Sequence, residues 1–210
     1  MTDVAVVDLG ISNVKSVTKA IEFVGKKASL VSSSSEIKEA QKIILPGVGS
    51  FDEAMTRLRK LDLIEALNEK AMLQKTPILG ICLGYQLMSK GSEEGNKPGL
   101  SWVDSETISI KKFIDNTEYK SPHMGWNLVD WKEEKDHKVL SKKVRLPSRF
   151  YFVHSYIPLF KNRDIVIGTT TYGKELDVCF NLENLFGTQF HPEKSHVYGL
   201  QLLKNFCEIE

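Results

Sequence analysis

Two short stretches of the 210-residue sequence carry side chains suited to covalent chemistry. In "GICLG" Cys82 stands between Gly80 and Gly84, and in "FHPE" His191 is followed two residues later by Glu193. A thiol attacks as its thiolate, which needs a base and a group to orient that base. In an extended segment i and i+2 side chains point the same way, so Glu193 can reach the His191 imidazole while Pro192 stiffens the link. Such a set does acyl transfer, in which sulfur attacks a carbonyl carbon and donors must stabilise the resulting oxyanion. "LPGVGSF" supplies candidates in the backbone N–H groups around Val48 and Gly49, assisted by the amide of Leu83 just after the cysteine. The same glycines also suit a flexible turn; a phosphate loop is disfavoured because no Gly-Lys-Ser/Thr follows.

Taken alone, Cys82 reads as a small buried hydrophobe, and His-Pro-Glu as a surface turn. The frame brings the two readings level, and the His191–Glu193 pair joined to it tips the balance: a strand running into Gly-x-Cys-x-Gly and then into a helix near Tyr85 is the pattern of a nucleophile elbow. The helix N-terminus that follows favours the thiolate. Cys179 and Cys207 are assigned to the core. His123, His137, His154 and His196 show no metal-ligand spacing, so neither a metal nor a cofactor is expected.

Presenting these groups together requires strand ends that converge. Val4 to Val7 is an unbroken apolar run ending at Asp8-Leu9-Gly10, the mark of a strand buried on both faces. From Val14 to Val24 the apolar period becomes helical, with Ser12 or Asn13 as the N-cap and Gly25 as the stop. Ala28 to Val31, Lys42 to Leu45 and Pro77 to Cys82 read as further strands; "SSSSEIKEA" and Phe51 to Leu73, broken near Lys60 to Asp62, read as helices. This alternation predicts an α/β fold: a three-layer, flavodoxin-like arrangement with a mixed, mostly parallel sheet flanked by helices, and a ligand site at the carboxyl ends of the strands.

After about Gly95 the chain becomes β-rich. Strands are predicted at Thr107 to Ile110, Asn127 to Trp131, Phe150 to Val153, Ile165 to Tyr172, Val178 to Leu182 and Leu185 to Gln189, the last two joined by a turn at Glu183-Asn184. A closing helix spans Ser195 to Cys207. With no linker between the halves, residues 1–210 are expected to form one domain sharing one core.

Balanced charge, 28 basic against 27 acidic residues, points away from nucleic acid and anionic membrane as partners. Three widely spaced cysteines suggest reduced thiols, and no apolar run reaches membrane-spanning length, so a cytoplasmic location is expected.

Taken together, "PGVG", "GICLGYQ" and "FHPE" resemble the class I (triad) glutamine amidotransferases. "SEEG" at Ser92–Gly95, "SPHMGWN" at Ser121–Asn127, "YFVHSY" at Tyr151–Tyr156 and "FHPEKS" narrow the likeness to the glutaminase subunits of imidazole glycerol phosphate synthase. The resemblance covers the chain from Val4 to Phe206. It implies that Cys82 attacks the side-chain amide of L-glutamine, with His191 as acid and base and Glu193 as its orienter, releasing glutamate and ammonia. It also implies that Gly49, Gln86, Glu94, His154, Ser155 and Tyr156 hold the glutamine, although Gln86 and Ser155 would otherwise pass for ordinary surface polarity.

The implied partner is a (β/α)8-barrel cyclase subunit, which receives the ammonia in a heterodimer. Met124, Gly125, Trp126, Tyr151 and Lys194 match its interface, with Trp126 readable as interface anchor or core tryptophan. The sequence departs from the family at Leu9 and Ser12, where Tyr and Gly are usual, and at Tyr85, where Met or Leu is commoner. "TQFHPEKSHVYGLQLLKNF" also resembles paralogues that supply ammonia for acetamidino sugars of surface polysaccharides. Two further alternatives are a silent binding subunit of the same fold and a thiol hydrolase acting on another amide.

Overall fold

The computed structural model describes residues 4–11, 13–114, 118–132 and 139–209. Ser12, a candidate cap, and His137 lie outside the described residues. The first half alternates β1 (Val4–Val7), α1 (Val14–Phe23), β2 (Ala28–Val31), α2 (Ser34–Glu39), β3 (Ile43–Gly47), α3 (Phe51–Lys60), α4 (Ile64–Asn68), β4 (Ile78–Cys82) and α5 (Leu83–Leu87). Every residue of β1, β3 and β4 is buried, as unbroken apolar runs in a covered parallel sheet should be. Helix α2 begins with a full capping box: Ser33 accepts from the Glu36 amide, and the Glu36 carboxylate accepts from the Ser33 amide. The expected break between α3 and α4 occurs where Asp62 takes a positive φ of 55°.

The second half contains β5 (Ser105–Ser109), α6 (Ile110–Ile114), β6 (His123–Trp131), β7 (Ser148–His154), β8 (Tyr156–Phe160), β9 (Val166–Tyr172), β10 (Lys174–Leu182), β11 (Leu185–Thr188) and α7 (His196–Cys207). The main sheet runs β2-β1-β3-β4-β11-β10-β9-β6-β7. Its first five strands are parallel, in the flavodoxin-like order, with the last strand of the sequence in the fifth place. β11 gets there because the tight turn at Glu183-Asn184 reverses the chain after β10, pairing Leu182 with Leu185. It is therefore the seam: parallel to β4 on one side, antiparallel to β10 on the other. Buried apolar residues from both halves form one cluster.

Four expectations need correction. β5 does not extend the main sheet; it pairs with β8, an unexpected strand, in a separate two-stranded ribbon. Ile110 opens the short helix α6 rather than ending a strand. β6 begins at His123, four residues before Asn127. Helix α5 begins at Leu83, immediately after the cysteine, and is only five residues long. Its influence on the sulfur is therefore confined to the free amides of one turn.

Candidate active site

Cys82 ends β4 with φ 53° and ψ −104°, a backbone region that costs a non-glycine residue on the order of 1–3 kcal/mol. The glycines around it permit close approach. A Cβ on Gly84 would collide with the Leu45 carbonyl of β3, and one on Gly80 would lie 2.7 Å from the Gly84 carbonyl. Register then brings the parts together: Gly47 sits opposite Cys82, and Thr188 opposite Ile81. His191, three residues past Thr188, is fixed by the hydrogen bond its backbone N–H donates to the Tyr151 carbonyl. Ser195, fully buried, clamps the same turn, donating to the His191 carbonyl at 2.5 Å and accepting from the Tyr151 amide at 3.0 Å.

The His191 imidazole and Glu193 carboxylate are both buried, with Nδ1 2.8 Å from Oε1. His191 Nε2 and Glu193 Oε2 are buried without a hydrogen-bond partner among the described residues. Burial opposes charge on His191, but the Cys82 sulfur and the Glu193 carboxylate together outweigh it and hold the imidazole well above its ordinary value. The arrangement favours a protonated imidazole beside the Cys82 sulfur.

A cavity of about 320 Å³ opens onto Cys82 and His191 at the carboxyl ends of these strands. Val48, Gly49, Leu83, Gln86, Glu94, His154, Ser155 and Tyr156, drawn from separate stretches of sequence, all border it. Pro122 and Val153 border it too, unanticipated from sequence. A larger groove of about 610 Å³ between β2 and α2 is lined by Ser29, Ser35, Glu36 and Glu39 among other residues and holds no cysteine or histidine. Gly49 has φ +102°, a conformation available to glycine in a loop that must turn its amides. Glu94 is partly engaged: its Oε2 accepts from the Phe51 amide at 2.8 Å, tying the loop to the start of α3. Gln86 is buried, not surface polarity.

The Tyr156 carbonyl orders the far wall. It accepts from Gln86 Nε2 at 2.9 Å and from His154 Nδ1 at 2.9 Å. A carbonyl can only accept, so His154 carries its proton on Nδ1, and its Nε2 accepts from His123 Nδ1 at 3.0 Å. His123 Nε2 in turn faces Asn127 Nδ2 at 3.3 Å. Burial pushes His123 down to about 4 and, with His123 alongside, His154 down to about 3, so both imidazoles are neutral.

The residues expected at an interface form an open patch beside the site. Met124 is 63% and Trp126 45% exposed, so Trp126 is not a core residue. Tyr151 contacts Trp126, and the exposed Lys194 places its ammonium 5.8 Å from the Tyr151 ring. Gly125, between Met124 and Trp126, has φ +125°.

Tyr85 and Leu9 have structural explanations. The Tyr85 ring is fully buried against Phe160 and Phe180, and its hydroxyl donates to the Asp177 carbonyl at 2.7 Å. Gly187 makes room for it, since a Cβ there would strike the tyrosine ring. Leu9 packs in the core, as do Cys179 and Cys207. One residue beside the sulfur escaped sequence reasoning: Gln189, fully buried, with Nε2 3.7 Å from Cys82 Sγ. Glu193 lies in the short 3-10 turn Pro192–Lys194 rather than in the extended segment expected from sequence, and that turn brings its carboxylate to the His191 imidazole.

Among the described residues no three His, Cys, Asp or Glu side chains gather as a metal site, and no helix is long and apolar enough to cross a membrane. Residues 5–209 match the model of the family "Glutamine amidotransferase class-I". Imidazole glycerol phosphate synthase subunit HisH 2 of Pseudomonas aeruginosa is 43% identical over 206 residues, covering 98% of this chain and 99% of the relative. The protein of that name from Methanococcus maripaludis is 42% identical over 205 residues, covering 98% of each. A solved structure, PurLQS from Thermotoga maritima, superposes with a TM-score of 0.71 at 17% identity over 95% of this chain and 94% of that one, a likeness of fold. The chain belongs to the class-I glutamine amidotransferase family and, within it, to the HisH-type subunits of imidazole glycerol phosphate synthase.

Proposed function

We propose that this chain, acting as one glutaminase domain, hydrolyses L-glutamine and delivers the ammonia to a (β/α)8-barrel cyclase subunit, which makes imidazole glycerol phosphate in histidine biosynthesis. One observation carries the chemistry: a strained cysteine and a histidine backed by a buried glutamate face one small cavity bordered by every residue expected to hold glutamine. The names of the full-length relatives support the pathway over sugar amidination.

Cys82 Sγ attacks the side-chain amide carbon of glutamine. The carbonyl π pair moves onto oxygen, which the amides around Val48 and Gly49 and that of Leu83 receive. His191 gives its proton to the amide nitrogen, the C–N bond breaks, ammonia leaves, and a glutamyl thioester remains. His191 then takes a proton from water as its oxygen attacks the thioester, and the C–S bond breaks to release glutamate. Glu193 holds the imidazole in place and compensates its charge. Glu94 pairs with the substrate ammonium through the oxygen not engaged by Phe51. The patch of Met124, Gly125, Trp126, Tyr151 and Lys194 docks the barrel, with the half-exposed Trp126 as its anchor.

The test is glutamate release from glutamine, with and without a barrel cyclase, in wild type and Cys82→Ala. Release that depends on Cys82 and rises with the cyclase is expected; release that survives the substitution overturns the reading. Supplying a phosphoribulosyl-formimino aminoimidazole carboxamide ribonucleotide in the same assay should yield imidazole glycerol phosphate, and failure to do so removes the histidine pathway.

A further inference from the structure

We infer that Gln189 is a catalytic residue of this site: its carboxamide N–H donates to the Cys82 sulfur and favours the thiolate that attacks. The inference rests on the reading of Cys82 as the nucleophile. An amide beside a sulfur could turn either edge toward it, and here the network leaves one choice. The Tyr156 carbonyl can only accept, so the Gln86 edge facing it is the NH₂. That same Nε2 lies 3.0 Å from the Gln189 side-chain oxygen, which must therefore be the acceptor. The other edge of Gln189, its NH₂, then faces Cys82 Sγ at 3.7 Å. A backbone carbonyl thus sets the polarity of two buried carboxamides in series, and the series ends on the sulfur.

Gln189 is held in that position. It is fully buried, and its amide donates to the Val178 carbonyl on the neighbouring strand. A buried carboxamide with both ends engaged cannot rotate without stranding its partners. The sulfur then has two different neighbours: the imidazole of His191, whose Nε2 has no hydrogen-bond partner among the described residues, and the neutral amide of Gln189, which donates to it. Their uses differ. His191 must give its proton away when ammonia leaves, whereas Gln189 keeps its own throughout and remains as donor when the thioester collapses and the thiolate re-forms.

The test needs no glutamine, so its outcome is separate from that of the glutaminase reading. Alkylation of the intact protein by iodoacetamide is followed at Cys82 by peptide mass spectrometry from pH 5 to 10. Gln189→Leu removes the donor. Gln189→Glu keeps the size and the acceptor for Gln86 but places an oxygen at the sulfur. The midpoint of the rate-against-pH curve should move upward by about one pH unit for Gln189→Leu and further for Gln189→Glu, in keeping with a charge-assisted hydrogen bond. A residue that merely filled space would slow alkylation at every pH without moving the midpoint. Because a carboxylate at 189 raises the thiol whatever the amide does, the neutral variants decide: an unmoved midpoint in Gln189→Leu, or in Gln189→Met where leucine fails to fold, overturns the inference.

Discussion

Acidification from pH 7 to pH 5 should weaken the fold through one buried pair, His123 and His154. Both are neutral in the native protein, pushed down to about 4 and about 3 by burial and, for His154, by its neighbour. In the unfolded chain both titrate near the ordinary value of about 6.5. The sign follows: below that value the unfolded chain takes up protons that the native state refuses, so the stability is fully present above about pH 6.5 and is lost as pH falls toward the native values. At pH 5 each site is roughly 1.5 pH units below its unfolded value, which at about 1.36 kcal/mol per unit is a loss of about 2 kcal/mol. The pair together loses about 4 kcal/mol, a large part of the roughly 5–15 kcal/mol typical of a folded domain. Urea unfolding of wild type and His123→Phe at both pH values isolates the effect. Phenylalanine can keep the stacking on Phe152 and Tyr172 but takes no proton, while His191 and the carboxylates titrate alike in both proteins. The variant should lose about 2 kcal/mol less than wild type between pH 7 and 5. Equal losses in the two proteins would refute the assignment of a buried neutral pair.

Two further substitutions probe the elbow. Gly84→Ala forces a methyl against the Leu45 carbonyl, so α5 must shift from β3. A destabilisation of about 1–3 kcal/mol in urea and a loss of glutamate release of at least about tenfold are expected; a variant with wild-type activity would mean that the close approach is not needed. Tyr85→Phe leaves the ring in place and removes the donor to Asp177, so calorimetry should record a Tm about 2–4 °C lower, corresponding to about 1 kcal/mol. An unchanged Tm would show that this hydrogen bond adds nothing net.

The parts of this structure legible from sequence are those in which one residue pattern has one physical meaning. Val4–Val7 and Ile78–Cys82 are apolar without alternation, and only a strand covered on both faces satisfies them. The triad is legible because its pieces are local: an elbow needs its glycines beside the cysteine, and a His–Glu pair fits within three residues. β8 escapes because "YIPLF" contains Pro158, which demotes a strand unless it lies in a small ribbon such as this one. "YFVHSY" looks like one motif, yet it is a corner: β7 ends at His154 and β8 begins at Tyr156, with Ser155 alone between. Gln189 escapes because an amide donor to sulfur has no motif of its own; its meaning comes from Gln86 and Tyr156, which fold in from elsewhere.

The seam at β11 also sets an order of events as the chain is made. Cys82 and its elbow are complete once β3, β4 and α5 have been synthesised, but Gln189, His191 and Glu193 arrive about a hundred residues later on the strand end that must slot in beside β4. Closing so long a loop is among the slow steps of folding a mixed sheet. Until the β10–β11 hairpin docks, the thiol has neither base nor amide donor, so a nascent or partly folded chain carries an ordinary cysteine. Reactivity at Cys82 is thus a reporter of the pairing of β11 with β4, and its appearance during refolding would time that pairing.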